Sequence, residues 1–115
     1  MRKGMKQMGM DLYINKRKNK GLPTEECVEL FYARKFWELL DAPFVQEYND
    51  SKEDGYICAK ISSEEDFEQL IYIAIHQKNY FDTYESVPQL LEARDEFVND
   101  EENDEHWTYT LEADW

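Results

Sequence analysis

The chain has 115 residues, 42% of them apolar and 15% aromatic, enough for one core at a common domain size. Its 26 acids against 13 Lys/Arg leave a net charge of −13, which repels nucleic acid and anionic membranes and favours basic partners. The longest strongly apolar run, residues 70–75, falls far short of the roughly 20 residues that cross a bilayer. The basic stretch 1–10 lacks the apolar segment of a secretory signal, so a cytoplasmic protein is predicted.

In chain order, residues 1–9 read as a basic, flexible arm, and residues 10–115 as a single acidic α+β domain. Residues 11–16 alternate, with Leu12 and Ile14 on one side and Tyr13 and Asn15 on the other, which predicts a first strand. A basic turn follows over 16–21. Pro23, Thr24, Glu25 and Glu26 then resemble a helix start with Thr24 as N-cap. That helix is expected to reach about Leu40, where Asp41, Ala42 and Pro43 stop it. Val28, Phe31, Tyr32, Phe36 and Leu39 would form its apolar stripe.

Residues 44–48 fit either a turn of helix or an extended segment, and 49–55 form a polar loop. Residues 56–61 predict a second strand. Ser62 with Glu65, or Ser63 with Asp66, offers a capping-box start to a second helix that buries Phe67, Leu70, Ile71, Ala74 and Ile75. A third helix opens at Ser86, Val87 and Pro88 and carries Leu90, Leu91, Phe97 and Val98 at helical spacing. After an acidic loop over 99–105, Trp107, Tyr109 and Leu111 alternate with Thr108 and Thr110 as a last strand. The predicted order is β-α-β-α-α-β. It implies a small, mostly antiparallel three-stranded sheet with about three helices packed on one face.

Charge is the most uneven property of the chain. Residues 1–20 hold seven Lys/Arg against Asp11, a balance of +6, so the remainder carries −19. No Lys or Arg follows Arg94, whereas nine carboxylates do. Such a surface imitates spaced phosphates and competes for an Arg/Lys-lined groove, with fast, salt-sensitive association. The predicted partner-binding residues are Asp95, Glu96, Asp100, Glu101, Glu102, Asp104 and Glu105, with Trp107 and Tyr109 as aromatic anchors. Glu64, Glu65, Asp66 and Glu68 form a second acidic face. The alternative for each is a solvated or core residue.

Catalytic and cofactor signatures are missing from the pattern. The four glycines are isolated, so there is no phosphate-binding loop, and no nucleophile motif is present. His76 and His106 stand thirty residues apart without ligands at matched spacing. The acidic loop lacks the central Gly of a calcium-binding loop. Cys27 and Cys58 form no CxxC pair and are expected as reduced thiols. No catalytic residue, metal site or cofactor is predicted.

The run Glu29-Leu30-Phe31-Tyr32-Ala33-Arg34-Lys35-Phe36-Trp37, after the strand Asp11-Leu12-Tyr13-Ile14, resembles a loose class of small phage and mobile-element proteins. In these, a strand precedes a helix bearing a Tyr-x-Arg-Lys element, here Tyr32, Arg34 and Lys35. The resemblance covers about the first third of the chain. It implies an inhibitor of bacterial defence, such as an anti-CRISPR protein that occupies the nucleic-acid-binding surface of a Cas effector. Two other readings are a homo-oligomeric phage accessory protein, possible as a homodimer, and a small metal-dependent hydrolase using His106 or His76.

Overall fold

A computed structural model describes residues 9–19, 27–47, 55–76, 83–103 and 105–115. Strand β1 (Asp11–Lys18) continues two residues past the expected end, so Lys16, Arg17 and Lys18 belong to the strand and not to a turn. Strand β2 (Cys27–Arg34) is followed by a 3-10 helix (Trp37–Asp41) and a single-turn helix α1 (Pro43–Gln46). Then come β3 (Tyr56–Lys60), α2 (Glu64–His76), α3 (Thr83–Asn99) and β4 (Trp107–Asp114). The sheet has four strands in the order β2-β1-β4-β3, and every pairing is antiparallel.

This corrects the expected three-stranded sheet and the β-α-β-α-α-β order. The α+β class stands, but the helix predicted over 24–40 is replaced by β2 and the 3-10 helix. The physical reason lies in composition. Residues 27–40 are so rich in apolar side chains that a helical stripe can be drawn through them whatever the backbone does. Tertiary pairing decides: Tyr13 stands opposite Tyr32 and Leu12 opposite Ala33, so Phe31 and Ala33 enter the core. The cap pattern at Pro23–Glu26 lies outside the described residues, as do residues 1–8 of the expected arm. The Tyr32, Ala33, Arg34, Lys35 element therefore sits at the end of a strand.

Two backbone irregularities shape β2. The register shifts between Ile14, opposite Phe31, and Asn15, opposite Glu29, leaving Leu30 as the extra residue of a bulge. At its end Lys35 takes φ +60°, a left-handed conformation uncommon for a residue with a Cβ, and its N–H donates to the Met10 carbonyl at 2.7 Å. That turn sends Phe36 and Leu39 into the core.

Alternation then assigns the two faces. Leu12, Ile14, Ile57, Ala59, Tyr109, Leu111 and Ala113 are buried beneath α2 and α3, with Phe67, Leu70, Leu90 and Phe97 from the helices. Tyr13, Asn15, Arg17, Cys58 and Glu112 occupy the opposite face. Helix α3 starts at Thr83, three residues ahead of the expected Ser86, so Pro88 falls inside it. Helices α2 and α3 run back alongside each other, with Phe67 near the start of α2 5.4 Å from Phe97 near the end of α3.

The Tyr13 and Tyr32 rings lie 5.2 Å apart across the β1–β2 pair. A double-mutant cycle of Tyr13→Ala and Tyr32→Ala should give a coupling of about 0.5–1.5 kcal/mol in chemical denaturation. A helix over 24–40 would leave the two rings uncoupled, so additive losses would refute this register.

Candidate binding surface and its ion pairs

The antiparallel helix pair brings the two acidic segments to one end of the molecule. Glu64, Glu65 and Glu68 are exposed in the first turns of α2, and Asp95, Glu96, Glu101 and Glu102 are exposed at the end of α3 and just beyond it. The Phe67–Phe97 contact ties these turns together. A concavity of about 640 Å³ runs along α3 into the following turn, lined by six carboxylates (Glu92, Asp95, Glu96, Asp100, Glu101, Glu102) and Asn99. Glu92, Asp95, Glu96 and Asn99 follow i, i+3, i+4, i+7 spacing, which sets neighbours on one helix face about 5–6 Å apart.

The acids at the two helix ends differ in what they do for folding. At the N-terminus of α2, Glu64, Glu65 and Asp66 complement the helix dipole. Asp66 is buried and accepts hydrogen bonds from the Ser62 and Ser63 amides at 2.8 and 3.3 Å, which is the carboxylate half of the expected Ser63/Asp66 box, so this residue is occupied inside the fold. At the C-terminus of α3 the dipole is already negative, and no basic residue occupies the last turn. Asp95 and Glu96 there add like charge to like charge.

Part of that charge is clamped. Lys16 reaches across from β1 to Glu96 at 3.0 Å and Asp100 at 3.1 Å, with its ammonium 4.7 Å from the centre of the Trp107 ring. Burial opposes the Lys16 cation, yet its hydrogen bonds to Glu96 and Asp100 outweigh that and hold its pKa above the ordinary lysine value. Asp100 also accepts from the Tyr109 hydroxyl at 2.7 Å and the Glu102 amide at 2.9 Å. Burial raises its pKa, but these donors and Lys16 bring it below the usual carboxylate value.

Asp100 and Tyr109 are therefore built into the fold. Tyr109 is fully buried against Phe97, at 5.0 Å, which removes it from the expected aromatic anchors. Trp107, the first residue of β4, is half-buried, with the ammonium groups of Lys16 and Lys18 over its ring. Glu105 is exposed, 3.6 Å from His106, and Asp104 lies outside the described residues. Of the predicted binding set, Asp95, Glu101, Glu102, Glu105, Glu64, Glu65 and Glu68 remain exposed, with Glu96 shared with Lys16. Glu92 is an addition: one more helical turn before Glu96 would have found it.

On the opposite face a second cluster surrounds Glu112, only 6% exposed. Arg17 forks onto it, with Nε to Oε2 at 2.6 Å and Nη2 to Oε1 at 2.7 Å, while the Thr110 hydroxyl donates at 2.7 Å. Burial alone would raise the Glu112 pKa; the Arg17, Thr110 and Asn15 hydrogen bonds reverse this and hold it below the ordinary 4.5. Burial, with Cys58 and Glu112 adding to it, pushes the neighbouring Tyr56 hydroxyl up to about 12. No sequence pattern marked this pair, because Arg17 and Glu112 are 95 residues apart.

Among the described residues no group of three or more His, Cys, Asp or Glu is placed to hold a metal ion. His76 stacks on Tyr72 at 4.1 Å, and its Nδ1 is 2.9 Å from the Tyr72 carbonyl. Cys27 and Cys58 are free and exposed. No described helix is long and apolar enough to cross a membrane. No family model, curated protein or solved structure matches the chain.

Two substitutions test these networks. Tyr109→Phe should lose about 1.5–3 kcal/mol in urea denaturation, the range of a hydrogen bond to a charged group. The depressed pKa of Glu112 gives stability that is full above 4.5 and is lost as pH falls through the lower folded-state value. Glu112→Gln should therefore cost roughly 1–3 kcal/mol at pH 7, less than a fully buried pair because Arg17 is half exposed. Its deficit relative to the native chain should shrink as pH falls below 4.5; a deficit that stays constant to pH 3 would contradict the assignment.

Proposed function

We propose that the chain is an acidic binding protein that engages a basic, nucleic-acid-binding partner and blocks it by occupying the surface that holds phosphates. The supporting observation is the placement of the carboxylates at the end of α3. They stand where the helix dipole makes them locally unfavourable, they line a concavity, and the exposed acids of α2 extend the same end of the molecule. Folding alone accounts for Asp66 and Asp100. It does not account for Glu92, Glu101 and Glu102, and Asp95 has only a long contact to Arg94 at 3.9 Å.

An acid-lined hollow suits a Lys/Arg-rich groove, because complementary potentials speed encounter and exclude nucleic acid from the same space. The narrower form of the proposal is a phage-encoded inhibitor of a Cas effector, whose guide–target heteroduplex lies in a positively charged channel of that type. On this reading the chain catalyses nothing and uses no cofactor.

Binding to a purified guide-loaded Cas9 should be measured at 50 and 200 mM salt, with target DNA as competitor. The native chain should delay DNA binding, and Glu92→Gln, Glu101→Gln and Glu102→Gln together should slow its association on the order of tenfold at low salt and much less at high salt. Glu64→Gln, Glu65→Gln and Glu68→Gln should have a smaller effect in the same direction. Association unchanged by the triple substitution at α3 would reject that surface. A stable partner-free dimer in light scattering, without Cas9 binding, would favour the accessory-protein reading instead.

A further inference from the structure

The sheet face turned away from α2 and α3 carries a second concavity, of about 340 Å³, in the lower range of small-ligand sites. Its floor is the Arg17–Glu112 pair, closed on itself by two hydrogen bonds and so electrically balanced. Its rim differs in character. Glu29 on β2 stands opposite Asn15, and Asp114 on β4 stands opposite both Asp11 and Tyr56. Both rim carboxylates are exposed, on either side of Tyr13. The rings of Tyr13 and Tyr56 complete the wall, with Tyr56 38% exposed.

We infer that this concavity is a binding site for an arginine side chain of a partner protein. With the floor neutral, Glu29 and Asp114 give the site a charge of −2, which rejects anions and attracts a cation. Two tyrosine rings beside two carboxylates favour a planar cation that stacks and forks at once, and the guanidinium group does both. Lysine's compact ammonium is strongly hydrated and would gain less from the flat walls. Burial, together with the charges of Asp11, Asp114 and Glu29, holds the Tyr13 hydroxyl above its ordinary pKa of 10.0, so the ring stays neutral beside the rim carboxylates. Glu112 takes no part in holding the ligand, because Arg17 already engages both of its oxygens. The site does not depend on the acidic end of α2 and α3, from which the sheet separates it.

The test is an NMR titration of the ¹⁵N-labelled chain with N-acetyl-arginine methylamide, using the matching citrulline and lysine amides as comparators. The arginine amide should produce saturable shifts at Tyr13, Glu29 and Asp114, and the neutral citrulline amide none. Glu29→Gln with Asp114→Asn should weaken binding roughly tenfold or more, with the rest of the spectrum unchanged. Glu92→Gln, Glu101→Gln and Glu102→Gln should leave it intact, so the two surfaces can fail separately. Equal shifts with citrulline, equal affinity for the lysine amide, or binding indifferent to the rim substitutions would each overturn the assignment.

Discussion

Two consecutive cations in β1 settle how so acidic a chain can close around a sheet. Because side chains alternate along a strand, Lys16 and Arg17 point to opposite faces. Lys16 gathers Glu96 and Asp100 on the helix side, and Arg17 takes Glu112 on the other. One dipeptide thus fastens the end of α3 and the central strand β4 to the same point of β1. Two of the three carboxylates it reaches are drawn into the fold, Asp100 and Glu112 each being only 8% exposed at the side chain. Buried charges survive only when paired and hydrogen-bonded, and both of these are.

The remaining acids divide by helix polarity. Those opening α2 are where a helix wants them, and Asp66 reaches back to the two amides just before the first turn. Those closing α3 work against the local dipole and repel one another. Only Glu96 and Asp100 are relieved by Lys16. The molecule therefore carries a charged hollow at a place where neutral or basic residues would serve folding better. That mismatch between local preference and observed sequence is the kind expected at a binding surface.

Much of the fold was legible from patterns of short range. Alternation located β1, β3 and β4, and the Ser63/Asp66 cap with its apolar spacing located α2. Strand β2 was not legible, because an apolar stretch from Cys27 to Leu40 satisfies helical and extended periodicities alike, and the pairing with β1 that resolves it is a tertiary fact. The same limit applied to the charged residues. The acidic tail was plain in the sequence, but nothing local separated Asp100 and Tyr109, which are internal, from Glu101 and Glu102, which are not. Lys16 and Arg17 looked like turn residues because their partners lie 80 and 95 residues away. The meeting of the two acidic segments depended on the antiparallel helix pair.

The sheet order has a consequence for how the chain assembles. Strand β4 follows the other three in the chain, yet it lies between β1 and β3 and joins them in the described sheet. During synthesis the β1–β2 pair can form early as a local hairpin, whereas β3 has no neighbour to pair with until residues 107–114 emerge. Until then β1 and β3 cannot join in one sheet, and closing the loop from β1 to β4 carries the entropy cost of most of the chain. The abundant carboxylates bear on that interval as well. Their mutual repulsion keeps unfinished chains apart while the central place in the sheet is still vacant.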